Sequence, residues 1–248
     1  MPNEIIRSLK ERKSVRVYAE RPILTVEKNE ILNAALQAPT AGNMTLYTII
    51  DVTDQHLKEQ LAILCDNQPF IAKAPLVLIF LADWQRWYDS FTKVYGDDIR
   101  PPQLGDLWLA AMDANIAAQN TVVAAESFGI GSCYIGDIIE NAEQIKELLD
   151  LPDYVVPACM LVYGYPTEQQ KNRTKPTRFS QEFICHENSY KRFSAEEFEH
   201  YFQSRDDKSF DKEVSLTYKR KWNQEFMLEM NRSMEIWLEA FLDKKNSI

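Results

Sequence analysis

Apolar residues along this chain recur in two rhythms, and the switches between them mark out the elements. Ile5, Ile6 and Leu9 place one apolar stripe on a short helix over residues 3–11. Val15 and Val17 then alternate with Arg16 and Tyr18, an extended stretch that Arg21-Pro22 breaks. Thr25 is placed to cap a helix over 26–38, where Ile31, Ala34, Ala35 and Ala38 recur at helical spacing and Pro39 stops it. Residues 46–52 read as a strand, followed by a helix with Leu57, Leu61 and Leu64 on one face. The run 74–82 has no polar alternation, which predicts a strand buried on both faces in the middle of a sheet.

Residues 83–103 hold Trp84, Trp87, Tyr88, Phe91 and Tyr95 ahead of Pro101-Pro102, an aromatic insertion that is either a lid or partner surface or a packed excursion. From 104 to 128 the alanine-rich, proline-free run predicts a long central helix of about 35 Å. Alanine on so many sides lets other backbones come near, so the helix is expected to be enclosed by neighbours or by a second subunit. Residues 129–137 end it in a glycine-punctuated strand and turn, 141–149 form a short helix, and 155–163 another apolar strand. Composition changes at 206. Beyond it Trp222, Phe226, Met230, Met234, Trp237, Leu238 and Phe241 define an amphipathic helix that must cover something apolar. The expected organisation is a domain over 1–205 and a helical extension over 206–248 that packs on the domain or on a dimer partner.

The formal net charge of -9 argues against a general nucleic-acid or anionic-membrane binder. Basic clusters therefore stand out. Arg12-Lys13-Ser14-Val15-Arg16 offers a guanidinium fork and a hydroxyl to a phosphate, or else is a solvated basic turn. Lys171, Arg173, Lys175 and Arg178 form a second cluster, which can equally be solvated loop charge. Pro39-Thr40-Ala41-Gly42-Asn43 suits close backbone approach to a ligand, and a plain turn explains it as well. The 129–137 glycines match neither a P-loop nor a Rossmann turn, since a helix rather than a strand precedes them. Four scattered cysteines without zinc spacing point to cytosolic thiols and no metal. The first residues have no apolar core of a signal peptide, and the longest apolar run is far short of the ~20 residues of a membrane span. A cytoplasmic protein is expected.

Four motifs in order make the chain resemble the nitroreductase family of flavoproteins, in particular its NADPH-dependent nitro/flavin reductase branch. They are R-x-S-x-R at 12–16, A-P-T-A-G-N at 38–43, G-I-G-S-C-Y-I-G at 129–136, and V-Y-G-Y-P with K-P-T-R within 162–178. The resemblance implies an α+β fold, a mixed β-sheet flanked by helices, in an intertwined homodimer with a long central interface helix and one FMN in each of two interface sites. It implies that Arg12, Ser14 and Arg16, with Lys13 beside them, bind the FMN phosphate and pyrimidine edge. Pro39, Thr40, Ala41 and Asn43 would reach the flavin from the partner, Gln68 would meet it ahead of the core strand, and Tyr134, Ile135 and Gly136 would lie near its N5. Lys175 and Arg178 would form a late phosphate pair. Two departures are Asp137, where the branch has a second glycine, and the wider spacing of K-P-T-R.

The chain shows no Ser-His-Asp or paired-carboxylate constellation, as expected where a flavin carries the hydride chemistry. The resemblance implies ping-pong electron transfer from NADPH or NADH through FMN to a small-molecule acceptor: a nitroaromatic, a quinone or free flavin. A flavin dehydrogenase specialised on one metabolite and a non-catalytic flavin-binding regulatory dimer are the alternatives.

Overall fold

A computed structural model describes residues 3–203 and 209–242; the parts of the expected C-terminal extension at 206–208 and 243–248 lie outside the described residues. The chain forms two compact units, one running to Arg173 and resuming at Glu229, the other Thr174–Leu228. This differs from a cut at 206, because the last helix returns to the first unit.

In the first unit β1 (Tyr47–Asp51), β2 (Leu76–Asp83), β3 (Gly131–Ile135) and β4 (Val155–Gly164) make one sheet in the order β1-β2-β4-β3. Every residue of β2 is buried, as its unbroken apolar run predicts. All pairings are antiparallel, so the mixed sheet implied by the resemblance is not seen among the described residues of one chain. The reason is the crossover: α6 (Leu104–Ser127) carries the chain back along the sheet from the end of β2 to the start of β3, and β4 then inserts between those two strands.

Alternation along the strands sorts the core into two layers. Leu76, Leu78 and Phe80 with Cys159, Leu161 and Tyr163 face α2 (Thr25–Leu36) and α6. Val77, Ile79 and Leu81 with Met160 and Val162 face the opposite layer, built by α3 (Gln55–Leu64), α4 (Pro69–Ala72) and α7 (Ala142–Leu148). On α6 the residues against the sheet are small: Ala114, Ala117, Ala118 and Ala125 are fully buried. Its other face carries Leu104, Trp108, Met112 and Ile116, four residues apart and exposed.

Thr25 does not cap α2. Leu24 takes the cap position and its N–H donates to the Glu27 carboxylate at 2.8 Å, so the acid three residues on does the work expected of the threonine. The aromatic insertion is a packed helix, α5 (Gln85–Tyr95), preceded by Trp84. The Trp84 and Trp87 indoles donate to the carbonyls of Asp106 at 2.5 Å and Met44 at 2.8 Å.

From Glu229 onward, the final helix α11 (Glu225–Leu242) covers the start of α7. Asn141 precedes α7 in a left-handed conformation and supplies no side-chain cap. Glu229 and Ser233 accept instead from the N–H groups of Asn141 and Ala142, both at 3.1 Å, while Trp237 donates to the Ile139 carbonyl at 2.9 Å. Arg232 grips Glu143 through two bonds of 2.7 and 2.8 Å and holds the Glu143 and Glu229 carboxyls well below their usual range. In the second unit a helix Ala195–Gln203 packs Tyr201 flat on Phe179 at 3.7 Å, with Phe183 edge-on to both Tyr201 and Phe193.

The segment after α1 (Glu4–Glu11) runs along the outer edge of β3, where the Val15 N–H donates to the Ser132 carbonyl at 3.0 Å and Tyr18 bridges to Pro166. Two glycines make this approach possible. A Cβ on Gly131 would lie 2.9 Å from that of Val15, and one on Gly164 would lie 2.8 Å from Tyr18 Cγ. Gly131→Ala must therefore push the segment off the strand. We expect a loss of about 1–3 kcal/mol, roughly 2–12 °C in Tm, by thermal denaturation; an unchanged Tm would show that the segment does not rest on Gly131.

Candidate active site

The basic motif at 12–16 begins where α1 ends: Arg12 closes the helix through its N–H to the Ser8 carbonyl, and the chain turns extended. That turn aims the guanidinium of Arg12 across β3. It donates to Ser132 Oγ at 3.3 Å and lies 6.0 Å from the Tyr134 ring, and its Nε is buried with no partner among the described residues. A buried guanidinium nitrogen without an acceptor is costly, so the arrangement fits an anion. Burial pushes the Tyr134 phenol up, and Arg12 partly opposes the shift.

Arg16 is exposed and sits over the Phe70 ring at 5.6 Å, which brings α4 to the same place. Gln68, at the head of α4, donates through Nε2 to the Cys65 carbonyl at 2.8 Å and to Asp137 Oδ2 at 3.0 Å. Asp137 directly follows the 134–136 turn. Arg12, Arg16, Gln68 and residues 134–136 are thus brought together along one edge of the sheet. Lys13 turns the other way: its Nζ donates to the carbonyls of Lys171 at 2.5 Å and Arg173 at 2.7 Å, at the C-terminal end of α8 (Glu168–Asn172), where a cation is favoured. Arg173 returns the contact to the Ser14 carbonyl at 2.7 Å.

The loop 39–43 lies at the opposite edge, feeding into β1. Three strand spacings separate it from β3, about 14 Å, so one chain does not bring it to Arg12. Its conformation is held open at a cost. Gly42, Asn43 and Thr45 all have φ between 53° and 59°, unusual for a β-branched threonine. Asp113, buried in α6, accepts from the Ala41 N–H at 2.9 Å and the Leu46 N–H at 3.2 Å and so fixes both ends of the loop. Pro39 and Asn43 are exposed, while Thr40 Oγ1 accepts from the Thr45 N–H at 3.3 Å. Lys175 and Arg178 belong to the second unit, in irregular backbone before the short turn Gln181–Phe183. Among the described residues no cluster of His, Cys, Asp or Glu could hold a metal ion, and no helix is long and apolar enough to cross a membrane.

Sequence reading missed Asp113, Ser132, Phe70 and Glu140. Asp113 had a signal, a carboxylate inside an alanine-rich helix; the others acquire their roles only from chain segments far away. Glu140 is 4 % exposed, one of its carboxyl oxygens has no partner among the described residues, and it shares a hydrogen bond with Asp137. Burial first, then the neighbouring Asp137, Asp66 and Glu229 carboxyls, push it from 4.5 up to about 8.

The nitroreductase family model matches residues 9–165. The chain is 30% identical over 247 residues to an FMN reductase [NAD(P)H] of Bacillus subtilis (strain 168), covering 98% of this chain and 97% of the relative. Among solved structures, nitroreductase A from Vibrio parahaemolyticus superposes with a TM-score of 0.82 at 27% identity, covering 99% of this chain and 100% of that one. The NADPH:FMN oxidoreductase from Vibrio harveyi, solved in complex with NAD+, gives 0.76 at 26% identity, covering 93% and 98%.

The raised Glu140 has a consequence for stability. Between about pH 4.5 and 8 the folded chain keeps a proton that the unfolded chain releases, so this group's contribution falls as pH rises through that window and is level above it. Glu140→Gln should flatten that dependence. Urea midpoints at pH 5, 7 and 9 are expected to show the variant gaining on the parent as pH rises; parallel curves would contradict the burial of a protonated carboxyl.

Proposed function

Because the chain belongs to the nitroreductase family, we propose that it is an NAD(P)H-dependent oxidoreductase holding FMN, which passes electrons in ping-pong fashion to nitroaromatic, quinone or flavin acceptors. The observation that carries this reading is half-buried Arg12, whose Nε is buried without a partner among the described residues, beside Tyr134 at the end of β3. Bound FMN would supply hydride acceptance and return. Arg12 and the Ser14 hydroxyl would hold its phosphate. Arg16 would set a positive charge beside the ring, and Gln68 with the 134–136 backbone would hold the ring edge. Lys13 would act by tethering the motif to α8. NADPH or NADH and the oxidant would use the same open face in turn.

The active unit in this reading is a homodimer. The loop 39–43 and the Arg12 cluster occupy opposite edges of one sheet, and the exposed row Leu104, Trp108, Met112 and Ile116 on α6, with Ile5 on α1, is the kind of surface a second copy covers. A partner's loop 39–43 would then complete each site. The buried, unpaired Cys65, Cys133 and Cys159 suit a reducing cytoplasm.

Light scattering should return a mass near twice 28.8 kDa; a flavin-loaded monomer would refute the shared site. The function itself is tested by anaerobic mixing with NADPH, which should bleach the flavin absorbance of the purified protein. Arg16→Gln should keep FMN bound but lower its two-electron potential by roughly 30 mV or more, each 30 mV being about 1.4 kcal/mol. No bleaching in the parent would defeat the oxidoreductase reading, and an unshifted potential would remove Arg16 from the ring.

A further inference from the structure

The amide of Gln68 has two chemically different ends, and the fold settles which one faces the site. Its Nε2 has two hydrogens to donate, and both are engaged: one to the Cys65 carbonyl at 2.8 Å, the other to Asp137 Oδ2 at 3.0 Å. A backbone carbonyl and a carboxylate oxygen only accept, so the opposite orientation of the amide would set oxygen against oxygen at both contacts. Among the described residues nothing donates to Gln68 Oε1, and the side chain is half-exposed beside Phe70 and Arg16. Asp137 itself is pinned. It follows the 134–136 turn, its carbonyl accepts the Glu140 N–H at 3.0 Å, and its carboxyl shares a hydrogen bond with the buried Glu140.

We propose that Asp137 is a positioning residue that locks the Gln68 amide with its carbonyl oxygen toward the ligand, so that this point of the site selects a ligand N–H donor. The inference rests on the flavin reading and deepens it. Of the polar atoms on the edge of an oxidised isoalloxazine, N1, N5 and the two carbonyls accept hydrogen bonds and only the imide N3–H donates. Gln68 Oε1 would therefore be matched to N3–H, and a ring with that hydrogen replaced would leave two acceptors facing each other. Nothing in the 134–136 backbone imposes this choice. It comes from the side chain at 137 acting with the Cys65 carbonyl; a glycine at 137 would leave that carbonyl alone to orient the amide.

The test compares binding of FMN and N3-methyl FMN to the full-length apoprotein by flavin fluorescence quenching. The parent should prefer FMN by about 10- to 100-fold, the loss expected when a hydrogen bond is replaced by an unmatched acceptor. Asp137→Ala should shrink that ratio by about fivefold or more, since one of the two contacts that orient the amide is lost. Asp137→Asn, which keeps an acceptor oxygen for Nε2, should restore most of it. In a Gln68→Ala background, Asp137→Ala should leave the ratio unchanged. A merely structural role for Asp137 would weaken both flavins equally, so an unchanged ratio in Asp137→Ala, or an equal change with and without Gln68, would overturn the proposal. Asp137→Gly, which removes the same carboxylate and should shrink the ratio likewise, keeps the question answerable if the alanine variant does not fold. Failure of the parent to bind either flavin would instead overturn the flavin reading on which the proposal stands.

Discussion

A long helix can lie flat on a twisted sheet only if its near face is smooth, and in this protein that condition is met by alanine. Ala114, Ala117, Ala118 and Ala125 let α6 approach β2 and β4 closely enough for Thr121 to share a 2.6 Å hydrogen bond with the buried Tyr163 hydroxyl. The loop that feeds β1 depends on this seat. Asp113 is carried on the same helix, and because α6 cannot shift, its carboxylate fixes the strained loop at 40–46. A carboxylate buried this deeply is tolerable only because backbone N–H groups surround it. Loop and helix therefore stabilise each other.

A second close approach governs the other edge of the sheet. Gly131 and Gly164 leave grooves into which Val15 and Tyr18 settle, and this brings the basic motif onto β3. The glycines of the 129–136 stretch follow a helix rather than a strand, unlike those of a Rossmann turn. Gly131 instead makes room for the segment whose side chains present the charge, so the conformational freedom of glycine matters less there than the missing Cβ.

The Arg12 cluster and the loop that feeds β1 stand at opposite edges of one sheet, a separation that no loop adjustment within one chain removes. The strained loop leaves Gly42 and Asn43 exposed, and the same subunit leaves an apolar row of α6 exposed. In the proposed homodimer, ligand binding and association would be interdependent, because each copy would supply a part the other lacks. The C-terminal helix takes the opposite course. From Glu229 on it closes over its own unit, capping α7 beside the turn that carries Asp137 and Glu140.

Much of this protein was determined by its sequence alone. The apolar run of β2, the alanine periodicity of α6 and the heptad-like stripe of α11 each commit a local segment, because burial follows from the period of side chains along a helix or strand. The motifs at 12–16 and 129–136 also contained several of the residues now found around Arg12 and Gln68, Ser132 and Tyr134 among them. Only the tertiary structure decided how those pieces face one another. It made the sheet antiparallel by slipping β4 between β2 and β3, turned Lys13 away to the end of α8, moved the capping of α2 from Thr25 to Glu27, and assigned Asp113, Ser132 and Asp137 their partners. Local pattern reports which side of an element is apolar, but a polar side chain's role depends on what the fold sets 67 to 160 residues away within 3.3 Å of it, and that distance is not written in any one stretch of the chain.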